Sequence, residues 1–143
     1  MIIIAHNVRS LHNVGAILRA AAALGVEKVF LTGYTGAPPR SEIAKVSLGA
    51  EDLVTWEKVD EIASVLCNVR QGGYRVLGLE TGEGAAPIDT VPGGHIALVL
   101  GNEVDGIDDD ARALLDGLVE IPMAKKRSLN VSIAAGIAMY LLR

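Results

Sequence analysis

The chain is poor in aromatic residues and in cysteine. Only five of its 143 residues are Phe, Trp or Tyr, so we expect a core built from Ala, Val, Ile and Leu. The single cysteine, Cys67, cannot form an internal disulfide or hold a metal ion alone, and its predicted helical position favours a packed thiol over a nucleophile. These scarcities exclude a disulfide-stabilised domain and argue against redox chemistry.

Long apolar runs and targeting segments are also lacking. No apolar run reaches the roughly 18 to 20 residues that cross a bilayer. The first residues, MIIIAHNVRS, lack the charged leader and the cleavage site of a signal peptide. Half of the residues are nevertheless hydrophobic, which excludes a disordered chain. We therefore expect a folded, cytoplasmic protein with no membrane partner.

The net charge is slightly negative. Thirteen Lys and Arg residues against 17 Asp and Glu residues give a net charge of -4, which argues against a protein that coats nucleic acid indiscriminately, and we expect no DNA partner. The basic triplet Lys125, Lys126 and Arg127 follows an acidic stretch at 103–110. The triplet is either a local contact for RNA phosphates or a solvated loop.

Short apolar runs alternate with helical segments along the whole chain. Several of these runs lack polar alternation, which is typical of strands covered on both faces of a parallel sheet. The predicted strands are 2–5, 28–32, 53–56, 75–79, 96–100 and 118–121, and the predicted helices are 13–24, 40–47, 58–71, 107–116 and 128–142. The sequence therefore predicts a single α/β domain over residues 1–143, with a parallel six-stranded sheet and helices on both faces.

The first and last predicted helices suggest a second copy of the chain. The first has Asn13 as its expected N-cap and presents Arg19 among small residues on one face, which would let a substrate or a second subunit approach closely. The last, with Ser128 as its expected N-cap, has almost no polar stripe. Because a helix that is apolar all round must be buried all round, we expect a homodimer that packs through these two helices.

Three segments join a strand end to a helix start. They are 7–19, 98–106 and 121–132. In an open parallel sheet, ligands bind at the edge where such segments meet. A turn with Gly101 allows close approach of the backbone to a ligand, although each segment taken singly is also consistent with an ordinary strand ending. Together they predict one site.

The three segments carry a recognisable combination of motifs. NVGAILR, LGNEVDG, and IPM with SLNVS occur in this order. This combination resembles the three motifs of the SpoU/TrmH family of the SPOUT superfamily, which are RNA ribose 2'-O-methyltransferases that use S-adenosylmethionine. The resemblance covers essentially the whole chain. It implies a trefoil-knotted α/β domain in the C-terminal part, a homodimer, a methyl donor bound at the knot, and no appended RNA-binding domain within 1–143.

The resemblance also implies roles for individual residues. Arg19 matches the catalytic arginine, Asn13 the asparagine of the first motif, Glu103 the glutamate of the second, and Ser128 and Asn130 the polar pair of the third. The residues expected around the donor are Leu79, Leu100, Gly101, Asn102, Glu103, Ile121, Met123, Ser128 and Leu129. The residues expected to contact RNA are Arg9, His12, Arg19, Arg40, Lys125, Lys126 and Arg127.

Some roles stay open from the sequence. Ser128 either orients the ribose or caps a helix, and Glu103 either organises a loop or acts as a general base. His6 and His12 show no carboxylate partner in the sequence, which favours contacts to the loop or to RNA over proton transfer. The span from Ile121 to Ser128 is one residue shorter than family members commonly have and lacks a glycine, so backbone contacts there are in question.

The implied function is methyl transfer from S-adenosylmethionine to a ribose 2'-hydroxyl of tRNA or rRNA. No cluster of His, Cys or acidic residues has metal-ligand spacing, so we expect no metal. A dinucleotide oxidoreductase is excluded because no G-x-G-x-x-G follows the first strand. The alternative is a non-catalytic dimer of the same fold that binds RNA or the donor, against which the intact Asn13, Arg19, Glu103 and Asn130 argue.

Overall fold

A computed structural model describes residues 1–125 and 128–143. Within these residues the chain forms a seven-stranded sheet, five α-helices and two short 3-10 helices. The strands are β1 Ile2–His6, β2 Lys28–Thr32, β3 Trp56–Val59, β4 Arg75–Leu79, β5 Ala86–Pro87, β6 Ile96–Leu100 and β7 Gly117–Glu120. The helices are α1 Leu11–Leu24, α2 Ser41–Ser47, α3 Ile62–Gln71, α4 Asp109–Arg112 and α5 Val131–Leu142, and the 3-10 helices are Ala50–Asp52 and Ile88–Thr90.

The sheet is parallel throughout, in the order β3-β2-β1-β6-β4-β7-β5. This confirms the predicted α/β class. The strand beyond the expected six is the two-residue β5, which pairs with β7 through Ala86 and Pro87. Proline is tolerated there because an edge strand needs no donor on its free side. The chain passes over β4 between β6 and β7; the trefoil knot stays a prediction.

Helices cover both faces of the sheet. All five residues of β1 and of β6 are buried, which explains their uninterrupted apolar runs. Alternate residues of a strand point to opposite faces, so Ile3 packs in one cluster with α1, α2 and α5, whereas Ile2 and Ile4 pack in a second cluster with α3 and α4. The core of each layer is aliphatic, as the composition indicates.

The third strand lies later in the chain than predicted. The amides of Leu53 and Val54 donate to the carbonyl of Ala50 at 3.0 and 3.1 Å and close a turn. Leu53 is consequently 81% exposed. Pairing with β2 begins only at Trp56, opposite Val29. The apolar run 53–56 was therefore a wrong prediction for a strand, because turn hydrogen bonds compete with the ladder for the same backbone groups.

Two predicted helix caps are also wrong. Ser10 caps α1 by accepting the amide of Asn13 at 3.3 Å, and Asn130 caps α5 by accepting the amide of Ser132 at 2.9 Å. Asn13 therefore lies inside α1, and Ser128 precedes α5. The predicted helix 107–116 shortens to α4, which begins at the cap Asp108.

The face of small residues on α1 is partly covered within the chain. A Cβ on Gly15 would lie 2.7 Å from the carbonyl oxygen of Ile43 and 3.0 Å from Cβ of Val46. Gly15 therefore allows α1 to pack tightly on α2, while Arg19 stays exposed. In residues 1–125 and 128–143 no helix combines the length and the apolar character needed to cross a membrane.

Candidate active site

A cavity of about 350 Å³ opens at the C-terminal ends of β4, β6 and β7. Its volume falls in the range typical of small-molecule sites. All nine residues predicted to surround the donor line this cavity: Leu79, Leu100, Gly101, Asn102, Glu103, Ile121, Met123, Ser128 and Leu129. The fold therefore brings together side chains that lie up to 50 residues apart in the sequence.

The loop after β6 forms one wall of the cavity. Asn102 and Gly106 exchange two backbone hydrogen bonds of 2.9 and 3.0 Å. The side-chain oxygen of Asn102 accepts the amides of Val104 and Asp105 at 2.7 and 3.0 Å. A Cβ on Gly101 would lie 2.4 Å from the carbonyl carbon of Gly106. Only glycine fits at position 101, because the turn folds back directly onto it.

Glu80, directly after β4, contacts the end of the same loop. Its carboxylate accepts the amide of Ile107 at 3.1 Å and a guanidinium N–H of Arg112 at 2.6 Å, and the residue lines the cavity. Sequence reasoning missed Glu80. The signal available was an acidic residue directly after the apolar run of β4, at the sheet edge where the other site residues lie.

Glu103, Asn13 and Asn130 form one chain of hydrogen bonds. The Glu103 carboxylate accepts the amides of Arg9 and Ser10 at 2.9 and 3.0 Å and the side-chain amide of Asn13 at 2.9 Å. The Asn13 oxygen in turn accepts the side-chain amide of Asn130 at 3.0 Å. Three segments separated in sequence are thus joined at the cavity.

The Glu103 side chain stays ionised because of these donors. Partial burial opposes its ionisation, but the Arg9 amide, the Asn13 side chain and the Ser10 amide together hold the pKa of Glu103 below its usual value. A carboxylate with a lowered pKa that already accepts three N–H groups is a poor base. The geometry therefore favours the interpretation of Glu103 as an organiser of the loop.

This network gives a first testable prediction. Glu103→Gln should lower the free energy of unfolding by about 1 kcal/mol at neutral pH, because one acceptor oxygen is replaced by a donor facing N–H groups. Since the folded-state pKa of Glu103 is lowered, the stabilisation is present above the carboxyl pKa of the unfolded chain, about 4.3, and is lost as the pH falls through the folded value. Urea denaturation at neutral and acidic pH measures both.

The control for Glu103 is Glu83→Gln, which changes an exposed carboxylate outside this network. We expect it to leave the unfolding midpoint unchanged at neutral pH. The difference in free energy of unfolding between Glu103→Gln and the unchanged chain should shrink at acidic pH. A difference that stayed the same there would contradict the role given to the carboxylate charge.

His6 has a carboxylate partner that the sequence did not reveal. Its ring is buried, with Nε2 2.7 Å from Oδ2 of Asp108 and Nδ1 2.9 Å from the hydroxyl of Thr32. The other oxygen of Asp108 accepts the Ala111 amide at 2.9 Å. The hydrogen bond from the Ala111 amide lowers the pKa of Asp108, and the His6 contact lowers it further; together they outweigh the effect of burial, which raises it. Both ring nitrogens are engaged, so His6 links β1 to the segment after the cavity loop.

The residues predicted to contact RNA lie on the surface, as far as the structure describes them. Arg9, His12, Arg19, Arg40 and Lys125 are exposed, whereas Lys126 and Arg127 lie outside the described residues. None of the five lines the cavity. Arg19 follows Asn13 by six residues, which is about 9 Å along the helix and about 240° around it. It therefore points away from the side of α1 that carries Asn13.

Potential metal ligands are not clustered in the part of the chain that the structure describes. Residues 1–125 and 128–143 contain no group of three or more His, Cys, Asp or Glu side chains that could hold a metal ion. Two of the acidic residues that line the cavity are instead engaged, Glu103 with backbone amides and Glu80 with a backbone amide and Arg112.

Comparison with known proteins identifies the family. A sequence model described as the SpoU rRNA Methylase family matches residues 1–140. The chain belongs to this family. The second and third SpoU motifs line the cavity, the first is hydrogen-bonded to both through Asn13, and the family assignment made from these motifs is confirmed.

Relatives of this SpoU-family chain include the 23S rRNA (guanosine-2'-O-)-methyltransferases RlmB of Xanthomonas axonopodis pv. citri (strain 306) and of Vibrio vulnificus (strain CMCP6). They are 37% and 34% identical over 142 residues, which are 98% of this chain. The chain spans only 57% of the length of either relative.

Solved structures of RNA-modifying enzymes share the fold. The A. aeolicus TrmH/SpoU tRNA modifying enzyme has a TM-score of 0.88 and 29% identity, over 99% of this chain and 72% of that one. An rRNA methyltransferase from Sinorhizobium meliloti with AdoMet bound has a TM-score of 0.90 and 26% identity, over 99% of this chain and 55% of that one.

Proposed function

We propose that the chain transfers a methyl group from S-adenosylmethionine to a ribose 2'-hydroxyl of RNA. The observation that carries this proposal is that the second and third SpoU motifs line one cavity, and that Asn13 of the first motif is hydrogen-bonded to Glu103 and Asn130 of the other two. The relatives named as rRNA 2'-O-methyltransferases support the reaction type, and the similar AdoMet-bound rRNA methyltransferase structure supports the donor.

The cavity has the chemistry that this donor requires. Aliphatic side chains of Leu79, Leu100, Ile121, Met123 and Leu129 supply apolar walls for a flat purine. Among the described residues, the charged groups that line the cavity are all carboxylates: Glu80, Glu103, Asp105 and Glu120. Negative charge complements the sulfonium and ammonium groups of the donor. When bound, the donor supplies an electrophilic methyl group.

The neighbouring polar residues would position the ribose. Ser128 lines the cavity and no longer has a capping role, since Asn130 caps α5. Its hydroxyl is therefore available to orient the sugar. Asn13 and Asn130 hold each other at 3.0 Å and fix the relative placement of the first and third motifs. Such contacts align the 2'-oxygen with the methyl carbon. They lower the activation barrier because the entropy of positioning the reacting atoms is already lost on binding.

We assign Arg19 the stabilisation of charge on the substrate. A guanidinium cannot act as a base because it is never deprotonated in proteins. Arg19 would instead hold the phosphate beside the methylated ribose and stabilise negative charge as the hydroxyl loses its proton to phosphate or water. Arg9, His12, Arg40 and Lys125, with Lys126 and Arg127, would contact further phosphates of tRNA or rRNA in the cytoplasm.

A second copy would bring Arg19 to the cavity. Arg19 does not line the cavity of its own chain. On the adjacent α5, Ile133 is 55% and Tyr140 57% exposed, and α1 packs beside this helix in one core cluster. A homodimer through α1 and α5 would cover these apolar side chains and place the Arg19 of one chain at the donor site of the other.

The dimer gives a second prediction. Ile133→Glu should weaken dimerisation about 30-fold or more, because it buries an unpaired carboxylate in the interface. Methyl transfer should fall in parallel. Sedimentation velocity across a concentration series measures the dissociation constant.

Leu114→Glu is the matched control, since Leu114 is also exposed but follows α4 on the opposite face of the sheet. It should leave the dimer intact. A dimer unaffected by Ile133→Glu would contradict the assigned interface.

The proposed reaction is tested by tritium transfer from labelled S-adenosylmethionine to bulk tRNA and rRNA, followed by mass spectrometry of the nucleosides. We expect a 2'-O-methylated nucleoside in one of the two RNA pools. Calorimetry with S-adenosylmethionine separates the alternatives. Donor binding without transfer would support the non-catalytic dimer instead, and absence of donor binding would refute the reaction and leave only a non-catalytic dimer that binds RNA.

A further inference from the structure

The exposed aromatic residue nearest the cavity loop is Tyr34, which follows β2 in the chain. Its side chain is 61% exposed, in a chain that has only five aromatic residues. Exposed Tyr140, by contrast, lies on α5 under the Arg143 guanidinium, 4.1 Å from its ring centre. Within the described residues the Tyr34 ring packs against neither a cation nor another ring, and its exposed surface is available to a ligand.

Tyr34 is held rigidly although it is exposed. Its backbone amide donates to Oδ1 of Asn7 at 3.1 Å, and its hydroxyl accepts Nδ2 of Asn102 at 2.5 Å. The same Nδ2 donates to the Asn7 carbonyl at 3.0 Å. The ring is thus fixed at its backbone and at its hydroxyl. A preorganised aromatic side chain loses little conformational entropy when a ligand covers it.

The position of Tyr34 connects it to the donor site. Asn102, which its hydroxyl contacts, lines the cavity. Val104 of the same loop is 73% exposed and adds apolar surface at the opening of the cavity. Arg9, whose amide is bound by Glu103, is exposed on the loop after β1 and offers a charge for phosphate. An open ring, apolar surface and a cation therefore occur together at this edge of the sheet.

We propose that Tyr34 is a stacking platform for an unpaired base of the RNA, beside the nucleotide that is methylated. This rests on the proposed function, since it takes RNA as the substrate. Proteins recognise single-stranded RNA by stacking splayed bases on aromatic side chains, and such stacking tolerates any base because every base has a π face. Tyr34 thereby supplies affinity for the strand next to the reacting ribose.

The test compares three variants on two RNA probes. Tyr34→Ala removes the ring, Tyr34→Phe keeps the ring but removes the contact to Asn102, and Tyr34→Trp enlarges the ring. The probes are a fluorescein-labelled oligoadenylate and an abasic ribose-phosphate chain of the same length. Tyr34→Ala should weaken oligoadenylate binding roughly 5- to 150-fold, the range measured for loss of one stacked base. Tyr34→Phe and Tyr34→Trp should bind it like the unchanged chain.

The abasic probe separates stacking from charge. All four proteins should bind it equally, because it offers phosphates but no bases. Calorimetry with S-adenosylmethionine should give the same donor affinity for the unchanged chain and Tyr34→Ala. If Tyr34→Phe loses as much oligoadenylate affinity as Tyr34→Ala, or if donor affinity falls in both, Tyr34 acts by holding Asn102 and the stacking proposal is wrong.

The proposed function fails differently. If the unchanged chain binds oligoadenylate through Tyr34 but methylates neither tRNA nor rRNA, the reaction is refuted and the stacking site stands. If it methylates RNA while Tyr34→Ala binds oligoadenylate normally, the stacking site is refuted and the reaction stands. Absence of any RNA binding by the unchanged chain would refute both.

Discussion

Arg19→Ala is expected to lower kcat for methyl transfer about 100- to 1,000-fold, the typical loss when one group that stabilises developing charge is removed. Donor affinity should not change, because the role assigned to Arg19 is to hold the RNA phosphate and not the donor. Steady-state kinetics with RNA and calorimetry with S-adenosylmethionine measure the two effects separately. Folding should also be unaffected, since the side chain is exposed.

Arg19→Lys is the informative control for the same position. It keeps the positive charge but loses the planar fork that binds phosphate through two N–H groups. We expect the kcat of Arg19→Lys to stay far below that of the unchanged chain. Full turnover by Arg19→Ala with normal RNA binding would contradict the role assigned to the guanidinium, and full turnover by Arg19→Lys would reduce that role to charge alone.

Gly101→Ala is expected to abolish binding of S-adenosylmethionine. Its new Cβ would lie 2.4 Å from the Gly106 carbonyl carbon, 2.5 Å from the Ile107 amide nitrogen and 2.6 Å from the Gly106 oxygen. All three are backbone atoms, so the loop itself must move. Overpacking of this kind typically costs about 1–3 kcal/mol of stability, and the displaced loop forms a wall of the cavity.

Gly117→Ala controls for the substitution itself. A Cβ there would have its nearest neighbour, Cδ2 of Leu77, at 3.8 Å, which is an ordinary contact. Calorimetry and urea denaturation should show donor affinity and stability close to those of the unchanged chain. Normal donor affinity in Gly101→Ala would show that the close approach of the loop to Gly101 does not shape the site.

Arg19→Ala and Gly101→Ala together test whether Arg19 acts on the cavity of the other chain in the dimer. A mixed dimer of Arg19→Ala and Gly101→Ala chains contains one intact donor cavity and one intact Arg19, on different chains. If Arg19 serves the partner's cavity, random mixing should restore about a quarter of the full rate, because half of the dimers are mixed and each has one complete site. If Arg19 serves its own chain, mixing restores nothing.

Much of the fold could be predicted from the sequence because its strands are marked by local patterns of apolar residues. The runs at β1 and β6 are apolar without alternation because both faces of those strands are covered, and this pattern indicates a parallel sheet. The prediction of a strand at 53–56 was wrong because the amides of Leu53 and Val54 donate to the Ala50 carbonyl in a turn. The strand β5 was missed because two residues with a proline carry no periodic pattern.

The site divides in the same way. The motif glycine Gly101 and the carboxylate of Glu103 were readable from their neighbours in the chain. The contact of His6 with Asp108 was not, because it joins residues 102 positions apart. The contacts of Glu80 were not readable for the same reason, since its partners Ile107 and Arg112 lie on a later segment.

The sequence alone determined the class of the fold, the family and nine of the residues that line the cavity, because strand burial and motif spacing are properties of short stretches of chain. The tertiary structure decided what each residue does there. It made Glu103 an acceptor of three N–H groups, freed Ser128 from helix capping, and placed Arg19 outside its own cavity. Hydrogen-bond partners and facing directions depend on segments that meet only when the chain is folded.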